Sequence, residues 1–103
     1  MKDPIFFGTM TGYRGTDNHG FAVPVIHCIL ENRSERAIQN RAIRLNLQFE
    51  NGQKYQTFSI NLPPYKNTPI DMTGNDIQIG KTQNGIVWLT DTETNSMSNS
   101  ITI

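Results

Sequence analysis

The stretch Ile43-Arg-Leu-Asn-Leu-Gln-Phe-Glu-Asn-Gly-Gln-Lys-Tyr-Gln-Thr-Phe-Ser-Ile60 decides the fold. Ile43, Leu45, Leu47 and Phe49 alternate with Arg44, Asn46, Gln48 and Glu50. Alternation with period two marks a strand with one buried face. Asn51-Gly52 follows, and Asn-Gly is the strongest short hairpin signal because a type I′ loop needs positive φ at both central positions. A two-residue loop there pairs Glu50 with Gln53, Leu45 with Phe58 and Ile43 with Ile60. A slip of one residue sets Leu45 against Thr57 and loses the apolar match, so pattern and turn chemistry agree on this register.

Other segments read as strands in the same way. Ile5–Tyr13 is rich in Phe, Ile and Thr and broken by glycines. Phe21–Leu30 is nearly continuous in apolar residues, as expected of a strand covered on both faces. Pro24 within it marks a bulge, a strand switch or an edge, because proline cannot donate to the ladder. Residues 34–40 leave room for at most one short helical turn, with Asn32 and Glu35 fitting a capping box. Leu62-Pro63-Pro64-Tyr65 ends the strand after the first hairpin, and a loop or crossover runs to about Asn75. Asn84-Gly85 suggests a second hairpin, Ile77–Lys81 against Ile86–Asp91. A three-residue loop with a bulge at Gly85 sets Ile79 against Leu89, Lys81 against Val87 and Gly80 against Trp88. Ile101-Thr102-Ile103 reads as a last short strand.

Six or seven short strands with regular turns describe a single domain over residues 1–103. The expected fold is an all-β, small antiparallel sandwich of immunoglobulin-like layout, with a small β-barrel as the alternative. The length of 103 residues supports one core and no deep private cavity.

Composition narrows the function classes. Nine basic residues balance nine acidic ones. A neutral chain makes nucleic acid an unlikely partner, because phosphate neutralisation needs excess Lys and Arg. No apolar run reaches membrane-spanning length, so no membrane association is expected. The lone Cys28 excludes an intramolecular disulfide and leans to a reducing compartment. With Lys2 and Asp3 behind Met1, the expectation is a native start and a cytoplasmic location.

No residue set completes a catalytic or metal constellation, so no catalytic residue, metal or cofactor is expected. His27 and Cys28 are adjacent on a strand and point to opposite faces, which rules out a shared metal or a Cys–His nucleophile pair. The carboxylates have no glycosidase spacing, and Asp71 and Asp76 read as turn formers. Asn32-Arg33-Ser34 matches a glycosylation acceptor and is read as turn chemistry.

The candidate binding residues fall in three groups. Tyr13, Arg14, Asp17 and His19 lie on the glycine-rich loop Gly12–Gly20, the richest mixture of chemistry on one connection. Its bland counterpart is a long hairpin loop of turn formers. Arg36 and Arg41 belong to a run, Arg33, Arg36, Arg41 and Arg44, that holds four of the five arginines; it suits an acidic partner patch or a nucleic-acid backbone, with a polar turn and sheet face as the bland counterpart. Tyr55 lies on the face opposite Leu45. In the second hairpin Ile86 and Trp88 share one face and Val87 and Leu89 the other; Trp and Tyr are residue types that carry interface energy.

The expectation is a non-enzymatic protein-interaction module, such as a phage- or bacterium-encoded inhibitor or assembly protein acting by binding and occlusion. Its partner is another protein, including a second copy. Ile86–Leu89 is apolar and uncharged, and an uncovered edge of that kind invites a homodimer. The alternative is a carbohydrate-binding sandwich, which requires Trp88 and a tyrosine to lie coplanar on one surface.

Overall fold

The computed structural model describes residues 2–50, 52–80 and 84–103. Eight strands run in order: β1 (Ile5–Phe7), β2 (Thr11–Thr16), β3 (Ala22–Asn32), β4 (Ile38–Phe49), β5 (Gly52–Leu62), β6 (Lys66–Thr73), β7 (Gly85–Asp91) and β8 (Ile101–Thr102). No helix occurs among the described residues. In the first sheet β3 is central, with β1 and β2 along one side and β6 along the other. The second sheet has the order β5-β4-β7-β8. Every pairing is antiparallel.

Two sheets packed face to face around one core form the expected sandwich. Ile26, Cys28 and Leu30 of β3 meet Ile43, Leu45 and Leu47 of β4 and Val87 and Leu89 of β7. Both sets alternate with outward residues, as sandwich packing requires. β1 and β2 act as one strand interrupted at Gly8, since both pair with β3. The layout is then three strands against four, immunoglobulin-like, with β5 added to the sheet of β4 and β7.

The first hairpin forms, but two residues out of the expected register. Phe49 faces Gly52, Ile43 faces Phe58 and Leu45 faces Gln56. Asn51, half of the expected type I′ loop, lies outside the described residues. A two-residue slide keeps every side chain on its face. Ile43, Leu45 and Ile60 therefore stay buried, and Phe58 is half-buried against the core. The apolar match across the hairpin misled because Leu45 has an apolar neighbour elsewhere, in Leu89 of β7.

The second hairpin does not form. β7 pairs with β4 and β8: Leu89 faces Leu45, Val87 faces Leu47 and Ile101, and Trp88 faces Asn46. Ile79 joins the other sheet, donating its N–H to the Ala22 carbonyl. Lys81 lies outside the described residues. The expected facing of Ile86 and Trp88 away from Val87 and Leu89 holds, because it depends on period two and not on the partner strand.

β7 is also not an edge. β8 covers it at Ile86 and Val87, and Ser98 exchanges bonds with the Leu89 backbone. The ground for self-pairing at 86–89 is thereby removed. The long edge of this sheet is β5. There the exposed Lys54, on the core-facing side of the strand, donates to the Gln78 carbonyl, and a lysine on an edge strand opposes added strands.

Three further expectations change. The stretch after Pro64 is strand β6; Pro69 is tolerated because β6 pairs only with β3. The outer face of β3 is open, with His27 and Ile29 exposed. Residues 34–36 form bends and 38–40 are already strand. Asn32 caps no helix: its side chain accepts from Ser34 N–H and donates to the carbonyls of Arg36, Leu62 and Pro63. It is fully buried turn chemistry.

Cys28 sits in the core, and burial pushes its thiol above the ordinary 9.0. The folded thiol keeps its proton where the unfolded one ionises. Its contribution to stability is therefore complete below pH 9.0 and is lost as pH rises above that value. A thiol-reactive disulfide reagent is expected to label the native protein only at the rate of unfolding. Labelling as fast as that of a free thiol would show that the first sheet opens locally.

Candidate functional site

The expected loop Gly12–Gly20 is strand β2 as far as Thr16, so Tyr13 and Arg14 are strand residues and only Asp17 and His19 lie in the turn. Asp17 accepts from the backbone N–H groups of His19 and Phe21, both at 2.9 Å, and closes the β2–β3 hairpin. The bond from Phe21, then that from His19, holds its carboxyl below the usual range. Gly20, at φ 83°, supplies the left-handed position of this turn. Arg14 reaches away from the loop to the carbonyl of Ile103 at 3.2 Å. His19 is exposed. Tyr13 is exposed on the outer face of the first sheet, level with Val25.

The structure disperses the arginine run, leaving Arg36 and Arg41 together around Asp3 and Arg33 and Arg44 apart from them. Arg33 stacks on Phe6 and pairs with Glu31. Arg36 pairs with Asp3 at 3.1 Å, and that bond holds the Asp3 carboxyl below its usual range. Arg41 is buried. It faces inward because it is in phase with Ile43, Leu45 and Leu47, and a bulge at Gln39–Asn40, with Asn40 at φ 53°, brings Ile38 to the same inner face. There Arg41 bonds Asp91 at 2.7 Å, Glu93 at 2.6 Å and the Asp3 carbonyl at 2.8 Å. Arg41 is thus part of the core and offers no surface to a partner. In the polar recess that Arg36 and Arg41 line with Lys2, Asp3 and Glu93, both arginines are already paired with carboxylates.

The second sheet brings together what the sequence left apart. Across its outer face, Tyr55 of β5 and Trp88 of β7 both face Asn46 of β4. One row is thus Tyr55, Asn46 and Trp88. The next is Thr57, Arg44, Thr90 and Met97; the third is Gln53, Gln48, Ile86 and Thr102. Asn46 is buried between its neighbours, donating to Thr90 Oγ1 at 3.0 Å and to the Trp88 carbonyl at 3.3 Å. Arg44 lies over the Tyr55 ring, 4.5 Å from its centroid. Tyr55 is 59% exposed, Met97 64% and Ile86 47%, and Trp88 is half-buried. A recess of about 340 Å³ opens beside Trp88, lined by Ile86, Met97, Ser98 and Ser100.

Sequence reasoning put Ile86 on one face with Trp88, and Arg44 and Tyr55 on the face opposite Leu45, but did not join the two groups. Met97 completes the face and carried no signal.

The opposite face carries a second constellation. His27 Nδ1 bonds Asp71 Oδ1 at 2.7 Å between β3 and β6, and Thr11 stands opposite His27 on β2. Asp71 is therefore a strand residue and not a turn former. The carboxylate orients the imidazole, but no hydrogen bond joins Thr11 to His27 among the described residues. No three His, Cys, Asp or Glu side chains converge on a metal position among the described residues.

No protein-family model, no curated protein and no solved structure matches the chain.

Proposed function

We propose that this domain is a non-enzymatic binding module that engages another protein through the outer face of the β5-β4-β7-β8 sheet. The observation that carries the reading is the grouping of Tyr55, Arg44, Trp88 and Met97 on one open sheet face. Aromatic residues, Met and Arg are the types enriched in protein interfaces, while Lys, Glu and Asp are depleted. The surrounding Thr, Ser and Gln side chains supply adaptable hydrogen bonds around rigid rings, as in antibody paratopes. The face rests on strands held by a core, so little order is lost on docking. A partner seated here acts, or is acted on, by occlusion.

Two baits test this. The wild-type domain and a Tyr55→Ala/Trp88→Ala variant are used to capture proteins from native lysate, beside a His19→Ala control. A partner held by the wild type and the control but lost by the face variant is the expected result. A partner that survives the face variant and is lost from the control overturns the reading.

A neutral sugar chain is the second reading. It is favoured by the placement of Tyr55 and Trp88 on one outward face among hydroxyl and amide groups. Trp88 is the single tryptophan, so its fluorescence reports directly on an oligosaccharide titration. Saturable quenching lost in Tyr55→Ala supports sugar binding, and an unchanged spectrum rejects it.

A further inference from the structure

We infer that the partner presents a carboxylate to Arg44. This rests on the protein-binding reading of the face and names the chemistry of what docks there.

The other arginines are engaged within the chain. Arg33, Arg36 and Arg41 hold carboxylates, and Arg14 reaches a backbone carbonyl. Arg44 differs. Among the described residues it has neither a carboxylate nor a hydrogen-bond acceptor, and its Nε is buried with no partner. A guanidinium offers five donors in a planar fork that matches a carboxylate edge to edge. Here the guanidinium already rests over the Tyr55 ring, so less freedom is lost when an acceptor arrives.

The surroundings select the acceptor. Thr57, Thr90, Asn46, Gln48, Gln53 and Thr102 are neutral, and none of the outward positions in the three rows is acidic. Arg44 is one positive charge in the middle of a neutral, partly apolar face. Its complement is one negative charge flanked by apolar groups, which is an Asp or Glu side chain beside aliphatic or aromatic neighbours. A second copy docked through the same face would bring a like charge instead. A phosphate group would bring more negative charge than one arginine neutralises.

The test is a titration of the ¹⁵N-labelled full chain with phenylacetate, with its neutral isostere phenylacetamide, and with inorganic phosphate. The Arg44 Nε–Hε signal and the backbone amides of Asn46, Tyr55 and Trp88 are expected to move with phenylacetate. Its apparent Kd is expected to be about tenfold lower than that of phenylacetamide. In Arg44→Gln, checked for an unchanged Tm, the two probes bind alike; Arg44→Lys keeps part of the difference because it keeps the charge and loses the fork. Equal binding of both probes to these residues in the wild type overturns the carboxylate and leaves the face as a binding surface. Shifts elsewhere, or none up to the solubility limit, overturn both. Phosphate moving Arg44 at lower concentration than phenylacetate overturns the choice of acceptor.

Discussion

Asp91→Ala is expected to destabilise the domain by about 3–5 kcal/mol, enough to unfold a large share of it at physiological temperature. The Asp91 side chain is fully buried, and that of Arg41 is 5% exposed. One Asp91 oxygen takes Arg41 Nη1 and the Thr94 hydroxyl, and the other takes the Glu93 N–H. Removing the carboxylate strands the guanidinium at the end of the core with Glu93, which is partly exposed, as its one remaining carboxylate. A buried charge that loses its partner costs far more than the pair contributes. Arg41→Met alone is expected to cost a similar amount for the mirror reason. The double variant Arg41→Met/Asp91→Leu should recover most of the loss, because an apolar pair of like volume needs no desolvation. Urea titrations of the four proteins decide it. Single variants within about 0.5 kcal/mol of wild type, the range of surface changes, would show that the pair is solvated.

Asn32→Ala is the second large effect, about 2–4 kcal/mol, from stranded backbone carbonyls at roughly 1–3 kcal/mol each. The Asn32 amide reaches the carbonyls of Arg36 at 2.8 Å, Pro63 at 3.2 Å and Leu62 at 3.4 Å. It thereby ties the end of β3 in the first sheet to the end of β5 in the second. Asn32→Asp should be worse than alanine at neutral pH, since a carboxylate then faces those three oxygens without a proton to donate. Thermal melts of both variants check this, at ~4–8 °C per kcal/mol for a domain of this size. An aspartate variant as stable as wild type would mean that the amide is not the tie.

Both sites show where the sequence could be read further. Arg41 is in phase with Ile43, Leu45 and Leu47, and Asp91 with Val87 and Leu89. The charged ends of two buried stripes were therefore visible, although an arginine at the end of an alternating run reads first as surface. That the two stripes lie on adjacent strands was not visible, because β4 and β7 are more than thirty residues apart and their pairing is set by the sandwich. Asn32 was read as turn chemistry from local spacing, which holds. Its reach to Leu62 and Pro63 has no local signal at all.

The binding face divides in the same way. Alternation placed Tyr55 outward and put Trp88 with Ile86, because period two follows from backbone geometry and needs no partner strand. Strand order placed Tyr55 and Trp88 two strands apart, with Arg44 and Asn46 between them, and strand order is a long-range property. The loop Gly12–Gly20 drew attention by its chemical variety, yet the Asp17 carboxylate is spent on its own turn.

What the chain determined by itself is its period-two pattern: an all-β domain, the facing of the residues of β4, β5 and β7, and the end of β5 at the Pro63-Pro64 pair. Register, neighbours and the burial of Arg41 and Asp91 came from packing one sheet on the other. An apolar side chain in β4 can meet its match across the sandwich or in β7 as well as in β5, and only the closed core chooses among them.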